Sequence, residues 1–163
     1  MTQTDWSSFF VAQVGAAAAL IGLLFVSLSI NLKQIVEMRY LVDTVGEALL
    51  IFLLPFLIAI FGLIPHQSAG AFGSEILGVG IVFEALAARL QVRRFRSRPP
   101  EAKLVGMVIW MLEMQAATIS TIVAGLLLAT GHDYGFGWLV PAVLSSYLAG
   151  ITSAWVLTIE ILR

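Results

Sequence analysis

Long apolar segments alternate with short polar ones along all 163 residues of the chain. About 20 helical residues, at about 1.5 Å each, cross a hydrocarbon core of about 30 Å. Five apolar segments reach this length, at about 9–32, 41–64, 71–92, 104–130 and 137–162. No segment has the pattern of a strand. The sequence therefore predicts an all-α integral membrane bundle, with five transmembrane helices in a single domain over residues 1–163.

The composition also indicates a membrane protein. Apolar residues make up 60% of the chain and charged residues 12%, whereas soluble domains average about 45–50% and about 25%. The absence of cysteine excludes disulfides, thiolate metal sites and cysteine nucleophiles. A net charge of -1 gives no reason to expect a nucleic-acid partner.

The basic residues indicate how the chain is oriented. All nine fall in segments that five spans would place on one side of the membrane: Lys33, Arg39, Arg89, Arg93, Arg94, Arg96, Arg98, Lys103 and Arg163. By the positive-inside rule this side is the cytoplasm, so we expect an external N-terminus and a cytoplasmic C-terminus. We expect residues 33–42 either to form an interfacial helix or to extend the first two spans.

Two glutamates fall near the middle of predicted spans, where a charged group costs about 2.5–3.5 kcal/mol. Glu84 lies in the third span and Glu113 in the fourth, and the hairpin that joins these spans is expected to bring both to a similar depth. Arg89 and Glu47 are expected nearer the cytoplasmic boundary. These four residues are therefore the candidates for an ion pathway.

Three arrangements of the central charges are open. In the first, Arg89 neutralises Glu113, because side chains on the two antiparallel helices lean toward each other. In the second, one or both glutamates line a hydrated path as a proton relay or cation site. In the third, Glu84 is protonated and hydrogen-bonds a neighbouring helix.

The second span carries two further features. Glu47 shares a helix face with Arg39 and Asp43, at steps of four residues. We interpret these three as a charge ladder near the headgroups or, alternatively, as a vestibule that concentrates cations. Pro55 removes a backbone donor near the middle of the span, so it is either a structural kink or a gating hinge.

Small residues recur at spacings of three and four on three spans, as they do at helix interfaces within membranes. The first span carries one such row and a second, partly polar face, and the fourth and fifth spans carry one row each. The rows are Gly15, Ala19, Gly22, Val26 and Ser29; Gln13, Ala17, Leu20, Leu24, Ser27 and Asn31; Gly106, Glu113, Ala117, Ser120 and Ala124; and Ser146, Gly150, Ser153 and Glu160. Because five helices bury only some of these faces among themselves, we expect a homo-oligomer, with packing inside one monomer as the alternative.

The segment RRFRSRPPEAK between the third and fourth spans is strongly basic. It carries Arg93, Arg94, Arg96, Arg98 and Lys103. We expect it to lie against anionic headgroups at the cytoplasmic surface. The alternative is a docking surface for a cytoplasmic partner.

Motifs of enzymes and cofactor sites are missing from the sequence. It contains no P-loop, no GxSxG, no HExxH and no CxxCH. The candidate ligands His66, Glu75, His132 and Asp133 do not have a metal-ligand spacing. We therefore expect neither an enzyme nor a bound metal or cofactor.

The stretch WSSFFVAQVGAAAALIGLLFVSLSIN resembles the first span of a group of small, largely uncharacterised bacterial multi-span membrane proteins. The resemblance implies a multi-pass protein of the bacterial inner membrane. It implies no function and no functional residues.

The leading functional hypothesis is an oligomer that passes a proton or small cation along a path through Glu84 and Glu113, with Arg89 setting their charge. One alternative is a non-catalytic accessory or regulatory subunit that docks on a larger complex through its first span and the basic segment. Another is an anion pathway with an arginine-rich cytoplasmic mouth. Transport predicts a water-accessible path to Glu84, whereas docking predicts a sealed Glu84 and small-residue faces that stay open.

Overall fold

The computed structural model describes residues 6–37, 39–96 and 104–161. These residues contain no strand. Their helices are α1 (Ser7–Ile30), α2 (Leu32–Glu37), α3 (Arg39–Gly62), α4 (Ala69–Arg96), α5 (Leu104–Ala129), a 3₁₀ helix (Asp133–Trp138) and α6 (Leu139–Ile161). Five helical segments, one in each predicted span, are long and apolar enough to cross a membrane. The prediction of an all-helical chain with five such segments is confirmed.

Helices α3, α4, α5 and α6 form a ring in which each helix packs against its two neighbours. The contact between α4 and α5 is the most extensive. Helix α1 lies outside the ring, mainly against α3. In its most apolar stretch 17% of the residues are buried, compared with 33–50% in the other four spans. Helix α1 is therefore the least covered of the five.

A short helix separates the first two spans. The chain leaves α1 at Asn31, whose side-chain amide donates a hydrogen bond to the Ser27 carbonyl at 2.9 Å. Helix α2 follows, and its Ile35 side chain is buried against Leu24 and Phe52. Helix α3 then begins at Arg39, two residues before the predicted start of the second span. Residues 33–37 thus belong to a separate short helix, and residues 39–42 belong to the helix of the second span.

Helix α3 continues through the buried Pro55. Because proline has no N–H, the carbonyl of Ile51 lacks its usual helical donor. Helix α3 ends at Gly62, where an added Cβ would lie 2.6 Å from the ring of Phe10. Glycine at this position therefore allows α1 to approach the end of α3 closely.

Helix α5 ends in a Schellman motif. The N–H of Gly131 bonds to the carbonyl of Leu128, and the N–H of His132 bonds to the carbonyl of Leu127 at 2.8 Å. Gly131 has a φ of 83°, in the left-handed region that this motif requires and that glycine adopts without strain. The motif turns the chain into the 3₁₀ helix.

Aromatic rings tie together one end of the bundle. Trp6 stacks on Phe136 with ring centroids 5.8 Å apart, and Phe136 stacks on Phe72 at 5.9 Å. Phe10 meets Phe72 edge-on at 5.5 Å. The start of α1, the start of α4 and the 3₁₀ helix therefore meet here, at what we call the aromatic end. We call the opposite end, where α4 finishes at Arg96, the arginine end.

Candidate functional site

Small residues bring α4 and α5 close together. An added Cβ at Gly80 would lie 2.8 Å from the side chain of Ile122, and one at Gly125 would overlap the backbone of Leu77. In an antiparallel helix pair, a step forward along one helix corresponds to an equal step back along the other. The pairs Leu77 with Gly125 and Gly80 with Ile122 follow this register. The glycines therefore form a seam in which the two backbones approach each other closely.

Polar pairs continue the seam toward the arginine end. Glu84 and Thr118 have the same register, and the Thr118 hydroxyl donates a hydrogen bond to Glu84 Oε2 at 2.5 Å. Further along, the Gln115 side-chain amide donates to Gln91 Oε1 at 3.2 Å. Both pairs join α4 to α5. The seam therefore changes from close backbone contact to side-chain hydrogen bonds along its length.

Thr118 is 2% exposed, so its hydroxyl depends on protein partners. Its oxygen lies 2.5 Å from Glu84 Oε2, 3.2 Å from the Met114 carbonyl and 3.4 Å from the Gln115 carbonyl. A hydroxyl carries one proton, and the carboxylate is the nearest acceptor. Glu84, whose side chain is partly buried, thus has a hydrogen bond to a neighbouring helix, which is one element of the third arrangement.

Glu113 does not share this position. It precedes Thr118 by five residues, which corresponds to about 7.5 Å along α5 and about 140° around it. Its carboxylate therefore projects from a different face of α5 than the one that meets Glu84. Oε2 of Glu113 is buried and has no hydrogen-bond partner in the structure. The two central glutamates occupy separate environments.

Arg89 is exposed on α4. In the part of the chain that the structure describes, no ion pair joins Arg89 to Glu113, and Glu113 Oε2 is without a partner. The neutralising pair of the first arrangement is therefore not formed in this structure.

Glu47 lies inside the bundle and is 2% exposed. It is one helical turn from Ile51, which packs with Trp110 and Met114 in the core. The spacing of Glu47 with two other charged residues predicted a charge ladder near the headgroups or a vestibule that concentrates cations, and the structure shows only that Glu47 itself is buried. The side chains of those residues, Arg39 and Asp43, are outside the described part of the structure.

A second polar contact joins α5 to α6. The indole N–H of Trp110 donates to the Ser153 hydroxyl at 3.0 Å, and this contact is buried. Ser146, about two turns away on α6, is fully buried, and its hydroxyl has no partner in the structure. Six residues from the small-residue rows of α5 and α6 are buried within the bundle: Ala117, Ser120, Ala124, Ser146, Gly150 and Ser153.

Helix α1 has one packed face. The hydroxyl of Tyr147 on α6 donates a hydrogen bond to Gln13 Oε1 at 2.7 Å. Ala17 is fully buried on the same side, and Leu24 is 5% exposed. This is the partly polar face that the sequence indicates.

The other face of α1 is uncovered. We define the open face of α1 as the row in which every residue is exposed: Gly15, Ala19, Gly22, Val26 and Ser29. Nothing lies within 4 Å of a Cβ added at either glycine. The Ser29 hydroxyl donates to the Phe25 carbonyl of its own helix at 2.8 Å. The open face therefore presents small residues and no unpaired hydroxyl.

The basic segment is partly helical. Helix α4 continues to Arg96, four residues beyond the predicted end of the third span. Arg93 and Arg96 are exposed on its last turns rather than in a connecting loop. The side chain of Arg94, and the whole of Arg98 and Lys103, lie outside the described residues.

Polar residues near the aromatic end bond to their neighbours. The Gln67 side-chain amide donates to Glu75 Oε2 at 2.6 Å. A ring nitrogen of His132 lies 3.0 Å from the Thr130 hydroxyl. Across the residues that could be placed, no group of three His, Cys, Asp or Glu side chains is arranged to hold a metal ion.

The sequence pattern does not single out several residues that form hydrogen bonds between helices: Thr118, Gln115, Trp110 and Tyr147. A signal for the α4 side of the seam is present, because positions 73, 77, 80, 84, 87 and 91 alternate steps of four and three residues. This spacing is typical of one helix packing along another. It does not reveal which helix is the partner.

Comparison with known proteins identifies no relative. A scan against protein-family models and searches of curated proteins and of solved structures give no match to this chain.

Proposed function

We propose that the chain is a non-catalytic accessory or regulatory membrane subunit that docks on a larger membrane complex through the open face of α1. The observation that carries the proposal is the exposure of all five residues of this face on the least covered span. Helices in lipid gain little from hiding apolar side chains, so they associate where small residues let the backbones approach. A row of small residues supplies this kind of contact.

The shape of α1 supports the same conclusion. Leu23 and Phe25 are 67% and 54% exposed. By helical geometry they lie about 80° to either side of Gly15. The small residues therefore form a shallow groove between the bulky side chains of Leu23 and Phe25. A ridge of side chains on another helix can pack into such a groove.

The chemistry of the open face limits its partner. Helix α1 carries no charged residue between Ser7 and Ile30. A charged partner group that faced it would have no countercharge, and such a group is costly within lipid. The partner is therefore an uncharged, apolar transmembrane helix with small residues of its own.

The environment of Glu84 also favours docking over transport. The Thr118 hydroxyl gives one carboxylate oxygen of the partly buried Glu84 a partner on the neighbouring helix. Intramembrane carboxylates of a transport path instead face a water-filled cavity or one another.

Site-directed photo-crosslinking in native membranes tests the proposal. The native chain has no cysteine, so Gly15→Cys, Ala19→Cys and Gly22→Cys each place a single photoreactive label on the open face. Ile119→Cys is the matched control, because Ile119 is 51% exposed on a different span and lies outside the open face and its ridges. We expect a protein adduct of one defined mass from the three open-face positions. Adding Val26→Trp should remove this adduct by filling the groove.

Each outcome bears on the docking proposal. An adduct that appears equally from Ile119→Cys, or that persists with Val26→Trp, contradicts a specific interface. Adducts with lipid alone contradict docking altogether. An adduct between two copies of this chain indicates a homo-oligomer and rejects the accessory role.

A second candidate function is the passage of a proton or small cation. It is favoured by the buried, partnerless Oε2 of Glu113. An unsatisfied carboxylate oxygen inside a membrane protein is costly, and a proton, a water molecule or a cation would satisfy it. In this alternative Glu113 is the central group, with Glu47 buried nearer the arginine end, and Glu84 is structural.

Flux measurements in proteoliposomes test the second candidate with proton, potassium, sodium and chloride gradients. Transport predicts flux that Glu113→Gln reduces at least about tenfold, as expected when an essential ionisable group is removed. Glu84→Gln and the control Glu75→Gln should retain it. Flux no greater than that of empty vesicles rejects transport, and selective chloride flux favours the anion pathway instead.

A further inference from the structure

An open groove of about 630 Å³ lies along α4 at the arginine end. Arg89, Arg93 and Arg96 line it, together with Ala88 and Val92. The arginines are spaced by four and three residues, so they project from one face of the helix. All three are exposed. The groove therefore combines a row of guanidinium groups with an apolar wall.

The groove faces away from the protein interior. Ala87 is fully buried, and Gln91 is 8% exposed and accepts a hydrogen bond from Gln115 on α5. Ala87 and Gln91 each lie two residues from Arg89, which corresponds to about 160° around the helix. The arginines are thus on the side of α4 opposite its packed face, where lipid surrounds a membrane bundle.

The length of α4 places the groove at the membrane surface. The helix has 28 residues, which corresponds to about 42 Å and exceeds a hydrocarbon core of about 30 Å. Residues 89–96 form the last 12 Å or so of the helix. They therefore fall where lipid phosphates lie, at the end that the positive-inside rule assigns to the cytoplasm.

Two of the three arginines, Arg89 and Arg96, have no acidic partner among the described residues. The planar guanidinium group binds phosphate through paired hydrogen bonds, which gives both strength and orientation. A phosphate group would supply a countercharge to Arg89 and Arg96.

We propose that this groove is a binding site for an anionic phospholipid. The lipid phosphate binds to Arg89, Arg93 and Arg96, and the adjoining acyl chain lies along Ala88 and Val92. The apolar wall distinguishes this occupant from a soluble phosphate, which has no group to place there. The site does not depend on the docking or transport role of the chain.

Lipid titration of the purified protein tests this proposal. Binding of phosphatidylglycerol is measured by native mass spectrometry in detergent, for the native chain and for Arg89→Gln, Arg96→Gln and the triple variant R89Q/R93Q/R96Q. Lys33→Gln is the matched control, because Lys33 is an exposed basic residue on α2, toward the same end of the bundle. Phosphatidylcholine, inorganic phosphate and glycerol 3-phosphate are the comparison ligands.

We expect saturable binding of phosphatidylglycerol that each arginine substitution weakens about fivefold and that Lys33→Gln leaves unchanged. The single variants keep the test valid if the triple variant does not fold. Equal weakening by Lys33→Gln would indicate diffuse surface charge and overturn the site. Competition by inorganic phosphate or glycerol 3-phosphate as strong as that by the lipid would assign the groove to a soluble phosphate. If phosphatidylcholine binds as tightly as phosphatidylglycerol, the site does not select an anionic lipid and the proposal is overturned.

Discussion

Thr118 on α5 and Glu84 on α4 form a hydrogen bond of 2.5 Å between two helices that are long and apolar enough to span a membrane. The bond has the same register as the glycine contacts nearer the aromatic end, where Gly80 meets Ile122 and Leu77 meets Gly125. Close packing thus fixes the distance between the helices, and the bond selects the rotation that turns Glu84 inward. An ionisable residue in a span contributes here to helix pairing.

Removing the Thr118 hydroxyl should destabilise the bundle. Thr118→Val leaves Glu84 without its interhelical donor, so we expect the free energy of unfolding to fall by about 1–3 kcal/mol. In a double-mutant cycle with Glu84→Met, the coupling energy should be about 0.5–1.7 kcal/mol. Unfolding in mixed detergent micelles measures both values. Thr152→Val is the control, because the Thr152 hydroxyl bonds only to the Leu148 carbonyl of its own helix. A coupling energy near zero between Thr118 and Glu84 would contradict their contact.

Gly125→Ala should separate α4 from α5. Its added Cβ overlaps the Leu77 backbone, which cannot rotate away, so overpacking should lower the free energy of unfolding by about 1–3 kcal/mol. Gly78→Ala is the matched control on α4, because nothing lies within 4 Å of a Cβ at Gly78. That variant should be neutral or more stable, since alanine favours a helix by about 1 kcal/mol over glycine. Equal thermal unfolding midpoints for the two variants would contradict the seam.

Two serines on α6 should respond differently to the same substitution. Ser153→Ala removes the hydroxyl that accepts the hydrogen bond of the buried Trp110 N–H, at a cost of about 1–3 kcal/mol in the free energy of unfolding. Ser146→Ala removes a buried hydroxyl that has no partner, so it should be neutral or stabilising. Chemical unfolding of the two variants provides the comparison. A larger loss for Ser146→Ala would show that its hydroxyl is bonded, for example to water.

The attachment of α1 should depend on Tyr147. Tyr147→Phe removes the hydrogen bond to Gln13, and we expect a loss of about 1 kcal/mol in the free energy of unfolding. Limited proteolysis before α2 should become faster as α1 loosens. Tyr134→Phe is the control, because Tyr134 is 61% exposed near the aromatic end. Identical proteolysis of the two variants would show that α1 is held by apolar contacts alone.

The sequence identified the four ion-pathway candidates but not their environments. Spacing along the chain placed Glu84 and Glu113 at similar depths, whereas the structure gives Glu84 a partner in Thr118 and leaves an oxygen of Glu113 unpaired. Depth follows from residue number, because a helix rises by a constant distance per residue. Rotation of one helix against another does not follow from residue number, so the partners could not be predicted.

The sequence alone determined that the described chain is helical and that five of its segments can span a membrane. The physical reason is local: in a long apolar segment within lipid, only a helix satisfies every backbone N–H and C=O inside the segment. Only the tertiary structure decided which small-residue rows are buried. The described small residues in the rows of α5 and α6 are buried, while Gly15 and Gly22 of α1 remain uncovered. That outcome depends on contacts between residues far apart in the chain, such as Tyr147 with Gln13, which no local pattern specifies.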